Sequence, residues 1–166
     1  MKPRPKLSQL QIRVSEEEKA AIRRAAERAG MDMSSYVLER VISIPAKEFQ
    51  GILKALAAGR SPSAFALADL NSLLSKLAPL ELADAIAMRP AVELSAFPAN
   101  YVAAMVESAC AKHGIPVPTW TRSIAPLDEP VFGSGLKRLR LHLLTHAPAA
   151  FRRRNVFIDS SLGDRV

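Results

Sequence analysis

The sequence predicts a mainly α-helical protein with a short strand near each end, and three observations predict it. Ala and Leu carry most of an apolar content of 49%, against 5% aromatics, a composition that favours helices. Apolar residues recur at helical spacing through most of the chain. Near the start, QLQIRV (9–14) shows the strict alternation of a half-buried strand.

Residues 1–7 read as a basic arm, with Lys2, Arg4 and Lys6 and no acid before Glu16. In the strand, Leu10, Ile12 and Val14 alternate with Gln9, Gln11 and Arg13. Ser15 is then an N-cap with Glu18 three residues on, the capping-box spacing. Glu16, Glu17 and Glu18 place negative charge where the helix dipole favours it. Ile22, Ala25, Ala26 and Ala29 give this helix a narrow apolar stripe, and Gly30 suits the position after its C-cap. Asp32 caps a second helix, with Val37, Val41 and Ile42 as its buried face and Pro45 as its stop.

Residues 46–58 form a further helix ended by Gly59, and GRSPS (59–63) is the best linker in the chain. Helices follow at 63–77, at 79–88 with Pro79 in a first-turn position, and at 98–113, stopped by Gly114. Pro116, Pro118, Pro126 and Pro130 make 115–133 irregular, yet Trp120, Leu127 and Phe132 make it too apolar for a free linker. A helix at 136–145 should turn Leu136, Leu139, Leu143 and Leu144 inward. A turn at 149–154 and a short strand at 155–158 complete the reading. Three parts result: a module over 1–45, a connecting helix and linker over 46–60, and a helical domain with an irregular Pro-rich segment over 61–166.

The N-terminal strand poses a problem of pairing. No second strand follows within forty residues, and an unpaired strand leaves its ladder groups and one apolar face open. Two narrow Ala-rich helices cannot enclose a core alone. A second copy of the chain solves both difficulties if the two strands pair antiparallel about a two-fold axis. Gln9, Gln11 and Arg13 of each copy then share the outer face. A two-stranded ribbon fits the DNA major groove, where Gln bonds adenine and Arg bonds guanine.

The strand QLQIRV, the Ser-Glu-Glu-Glu helix start, the Ala-Gly turn at 29–30 and the second helix MSSYVLERVI together resemble the ribbon-helix-helix family of dimeric DNA-binding proteins, typified by the Arc and CopG repressors. The resemblance covers residues 7–44. It implies a homodimer on double-stranded DNA, with Gln9, Gln11 and Arg13 reading bases. It also implies phosphate contacts from Ser34 and Ser35 at the start of the second helix, with Lys2, Arg4 and Lys6 of the arm reaching further phosphates. Asp32 departs from the expected clamp, because it puts a negative charge where a phosphate should approach.

The formal net charge of +7 suits a polyanionic partner. A second basic zone follows Thr121 and includes Arg152, Arg153 and Arg154, bracketed by Phe151 and by Val156, Phe157 and Ile158. Arg suits bidentate contact with carboxylate or phosphate, so these three are the expected partner-binding residues. A DNA-binding dimer joined to a partner-binding domain is the plan of an antitoxin that represses its own operon. Residues 120–158 also resemble proteins encoded beside nucleotidyltransferase-like toxins, which implies such a toxin as partner. The alternatives are a regulator whose C-terminal domain senses a ligand, and an accessory protein of plasmid transfer or partition.

No Ser-His-Asp set, paired carboxylates, Gly-rich phosphate loop or cysteine metal motif is visible, so neither an enzyme nor a cofactor is expected. His142 and His146 have a metal-compatible spacing but no acid or cysteine close in sequence, and read as surface or capping residues. Cys110, the single cysteine, reads as a buried thiol and excludes an internal disulfide. With no signal-like N-terminus and no apolar run of about 18 residues, a cytoplasmic protein without a membrane span is expected.

Overall fold

The computed structural model describes residues 11–41, 43–59 and 63–159, and the chain divides into two compact units, Met1–Ile44 and Pro45–Val166. The fold is mainly helical, as the composition and periodicity predict, with one two-stranded sheet among the described residues.

The first unit holds α1 (Glu16–Arg28) and α2 (Met33–Val41). The expected capping box opens α1. The Glu18 backbone N–H donates to Ser15 Oγ at 3.2 Å, and the Ser15 N–H donates to the Glu18 carboxylate at 2.8 Å. That second bond, backed by the Ser15 hydroxyl, holds the Glu18 carboxyl below its ordinary range. A Schellman turn closes the helix: Gly30 N–H donates to Glu27 O at 3.0 Å and Met31 N–H to Ala26 O at 3.0 Å. Gly30 adopts φ +67°, which glycine alone reaches without strain. The turn delivers the chain directly to Asp32, whose carboxylate accepts the Ser35 N–H at 3.0 Å and caps α2.

The second unit begins within α3 (Ile44–Ala58), at Pro45. Pro45 does not close α2, which ends at Val41. It lies in the first turn of α3, where a missing N–H leaves no bond unmade. Phe49, Leu53 and Leu56 of α3 are buried with Leu70, Leu73 and Leu74 of α4 (Ser63–Lys76) and Leu82 and Ile86 of α5 (Pro79–Ile86). At the centre is α6 (Ala96–His113), which packs against α4, α5 and a later helix. Its Val102, Ala103, Ala104, Val106 and Cys110 are fully enclosed, so it is apolar almost all round. Burial raises the Cys110 thiol above its usual range.

The Pro-rich segment wraps this core as expected. It contains a single turn, α7 (Thr119–Arg122), and Trp120 Nε1 donates to Ile86 O at 2.8 Å. It ends in β1 (Val131–Phe132), which pairs in parallel with β2 (Val156–Phe157), Val131 opposite Val156. Between the strands lie a 3-10 turn (Lys137–Leu139), α8 (Arg140–His146) and α9 (Ala149–Arg152). Asn155, at φ +56°, turns the chain from α9 into β2 and donates from Nδ2 to Leu127 O at 2.6 Å.

The leucines of 136–145 correct the sequence reading. Leu143 is buried against Ala147, Phe157 and Phe132, but Leu136, Leu139 and Leu144 are exposed. The segment is not one α-helix. Three residues per turn in the 3-10 stretch and 3.6 in α8 place these leucines on different arcs. In the first unit Val41 is likewise exposed, and Ile42 lies outside the described residues. No helix of the described residues is long and apolar enough to cross a membrane.

Candidate nucleic-acid interface

The first unit is short of core. Ala26 is its one buried residue among those described. Ile22, Ala25, Met31, Met33, Tyr36 and Val37 are half-buried, while Ile12 is 59% exposed and Val14 41%. Residues 11–14 have no ladder partner within the described residues and no regular secondary structure. Two helices bearing so few buried groups offset little of the entropy lost on ordering them. Ile12, Val14 and the half-covered helix faces therefore leave apolar surface unburied in this unit.

Gln11 and Arg13 are exposed, but so are Ile12 and Val14, so exposure does not separate the two sides of the alternation. Gln9, Lys2, Arg4 and Lys6 lie outside the described residues. At the start of α2, Ser34 is exposed and Ser35 half-buried. The Asp32 carboxylate takes the Ser35 N–H, so a phosphate approaching this end would meet the Ser34 hydroxyl and the first-turn N–H groups beside a fixed negative charge. Arg23, Arg24 and Arg28 add exposed positive charge along α1. Arg40 lies over the Tyr36 ring, 5.3 Å from its centroid.

The three arginines read as partner contacts do not act together. Arg152 and Arg153 are exposed, but Arg154 is 5% exposed and turns inward. Its guanidinium forms an ion pair with Glu107 and donates to Thr121 O at 2.9 Å and to Asn100 Oδ1 at 3.2 Å. Asn100 in turn donates to Ala96 O and to Ala125 O, each at 3.0 Å. Arg154 thus fastens the chain after α9 to α6 and to the Pro-rich wrap. It is withdrawn from any surface role. No local pattern signals this, because nothing in the neighbouring sequence links position 154 to 107, 100 or 121.

His142 and His146 stack with ring centroids 4.0 Å apart, and His142 Nε2 lies 3.2 Å from Asp159 Oδ2. No group of three or more His, Cys, Asp or Glu residues suited to a metal ion occurs among the described residues.

A model of the NikA-like family, described as mobilization protein NikA, matches residues 4–57, under half of the 166-residue chain. The match spans the strand segment, α1, α2 and most of α3. Neither a curated protein nor a solved structure matches the chain.

Proposed function

We propose that the chain is a dimeric DNA-binding protein that serves DNA mobilization as an accessory factor. Two copies pair their 9–14 segments into an antiparallel ribbon. Leu10, Ile12 and Val14 of both close the core over α1 and α2, and Gln9, Gln11 and Arg13 of both enter the major groove. The observation that carries this reading is the exposure of Ile12 and Val14 beside an almost coreless helix pair. One added copy covers the side chains and satisfies the backbone groups together. The family match over residues 4–57 supports mobilization as the setting. It gives no support to a toxin partner or to repression of an operon, and the inward turn of Arg154 removes part of the surface on which the antitoxin reading relied. The second unit has no catalytic role in this proposal.

The test is to select bound duplexes from random DNA and then footprint the protein on the DNA that encodes it. A two-fold symmetric protein should protect a site with two-fold related halves. Protection within a transfer origin supports mobilization. Protection only at the promoter of its own operon would return the repressor reading to first place.

Arg13→Ala should cost roughly 1–3 kcal/mol of specific binding per direct base contact and relax preference at one position in each half-site. Mobility-shift titrations on the selected and on scrambled duplexes check this. An equal loss on both would remove base reading from Arg13. Deleting residues 1–6 removes Lys2, Arg4 and Lys6. The slope of log K against log salt should then become shallower by about 0.9 for each phosphate that the arm neutralises. An unchanged slope would show that the arm neutralises none.

A further inference from the structure

Among the described residues of the second unit, Phe65 and Phe97 are exposed singly, and two further clusters of exposed apolar side chains differ in the charges around them. The first is the 3-10 turn and α8. Leu136 (50% exposed), Leu139, Leu141 (73%) and Leu144 stand in solvent among Lys137, Arg138 and Arg140, with no acid in the segment. Lys137 and Arg138 form no ion pair among the described residues, and Arg140 rests over the Phe132 ring at 5.1 Å. The second face is the outer side of α5. Leu82, Ala85 and Ile86 point into the core, which leaves Leu80 (83% exposed), Glu81 and Asp84 outward, with Met88 (53%) and the exposed Arg89 just past the helix end; the Glu81 carboxylate also accepts the Ala78 N–H at 3.2 Å. The chain there is pinned: Gln50 Nε2 donates to Arg89 O at 3.1 Å and Gln50 Oε1 accepts the Ala91 N–H at 2.8 Å. Of the described helices, α5 alone carries acids and no base.

We propose that these faces meet between two copies of the chain, the leucine-and-arginine face of α8 in one against the acidic, Leu80-centred face of α5 in the other. The α5 face is about 12 Å long at 1.5 Å per residue, and the 3-10 turn with α8 is somewhat longer, enough to span it. Large apolar side chains clustered in solvent call for cover, and the neighbouring charges select what covers them. Nucleic acid would pair the cations and leave four leucines wet. An anionic bilayer would accept α8 but leave α5 unexplained. A two-fold pair of copies covers both faces, because the α8–α5 contact then occurs twice in one interface. This contact is separate from the N-terminal ribbon and stands whether or not the chain binds DNA.

The experiment mixes two full-length preparations, one carrying Leu80→Cys and the other Leu141→Cys, under mild oxidation. The native Cys110 is fully buried and stays silent. Cross-linked product should form in the mixture well above either preparation alone. Adding Glu81→Lys and Asp84→Lys to the first should cut the yield at least about tenfold, and adding Arg138→Glu and Arg140→Glu to the second should restore it. These positions are exposed, and the restoration shows that loss does not come from misfolding. Equal yields in all mixtures, or no restoration, would overturn the proposal. So would wild-type binding to phosphatidylserine vesicles that Leu141→Asp abolishes, in the absence of any specific cross-link.

Discussion

Ile12→Asp is expected to break the ribbon pairing and to abolish specific DNA binding with it, and to leave single chains when Glu81→Lys and Asp84→Lys remove the α5–α8 contact as well. In the proposed ribbon Ile12 of each copy lies under the strands. Fully burying an Ile side chain is worth about 1.5–3 kcal/mol, and two-fold symmetry counts the loss twice. The total of about 3–6 kcal/mol raises the dissociation constant of the dimer by two to four orders of magnitude. Desolvation of the aspartates adds to this. Gln11→Ala, on the other face, should leave the dimer intact and weaken only DNA binding. Sedimentation velocity and mobility shift on both variants separate the two effects. If Ile12→Asp stayed dimeric with unchanged affinity, Ile12 would not lie in the shared core.

Arg154→Ala carries the second large effect, and it falls on the second unit. The guanidinium is almost wholly enclosed and holds Glu107, Asn100 and the Thr121 carbonyl at once. Removing it strands the Glu107 carboxylate, which is 14% exposed, and leaves a polar void between α6 and the wrap. Breaking a buried pair by deleting one partner costs about 3–5 kcal/mol. Urea unfolding of the full chain should show a loss of that size. Arg152→Ala and Arg153→Ala, at exposed positions beside it, should stay within about 0.5 kcal/mol of wild type. A comparably small loss at Arg154 would mean that the network does not hold the wrap.

The contrast between neighbouring arginines shows where sequence reasoning stops. Ser15 with Glu18, Gly30 after Ala29, Asp32 ahead of α2, Pro79 and Gly114 are local signals, because a cap or a left-handed turn is satisfied within a few residues. Their helices stand close to where the sequence puts them. The alternation at 9–14 is equally local. The proposed pairing with a second chain is reached only by elimination of partners within forty residues. Arg154 is not legible at all, since its partners Thr121, Glu107 and Asn100 lie 33 to 54 positions away. The outward leucines of 136–144 escape for another reason. Apolar spacing fixes a face only if the helix type is known, and a 3-10 turn changes the angle per residue. The short β1–β2 pair has too few residues for any period to show, although the second of its strands is visible as a run of apolar residues.

The candidate interface divides in the same way. Gln11 and Arg13 are exposed together with Ile12 and Val14, while Asp32 in α2's cap qualifies the phosphate clamp at Ser34 and Ser35. The ribbon is therefore the part of the site on which affinity should chiefly depend.

Sedimentation equilibrium of the full chain at micromolar concentration, combined with amide exchange over residues 11–14, tests the shared ribbon most directly. The expected result is a mass of two chains or a multiple of it, with slow exchange at these residues that Ile12→Asp abolishes. A stable 18.0 kDa species whose residues 11–14 are nonetheless protected would contradict it.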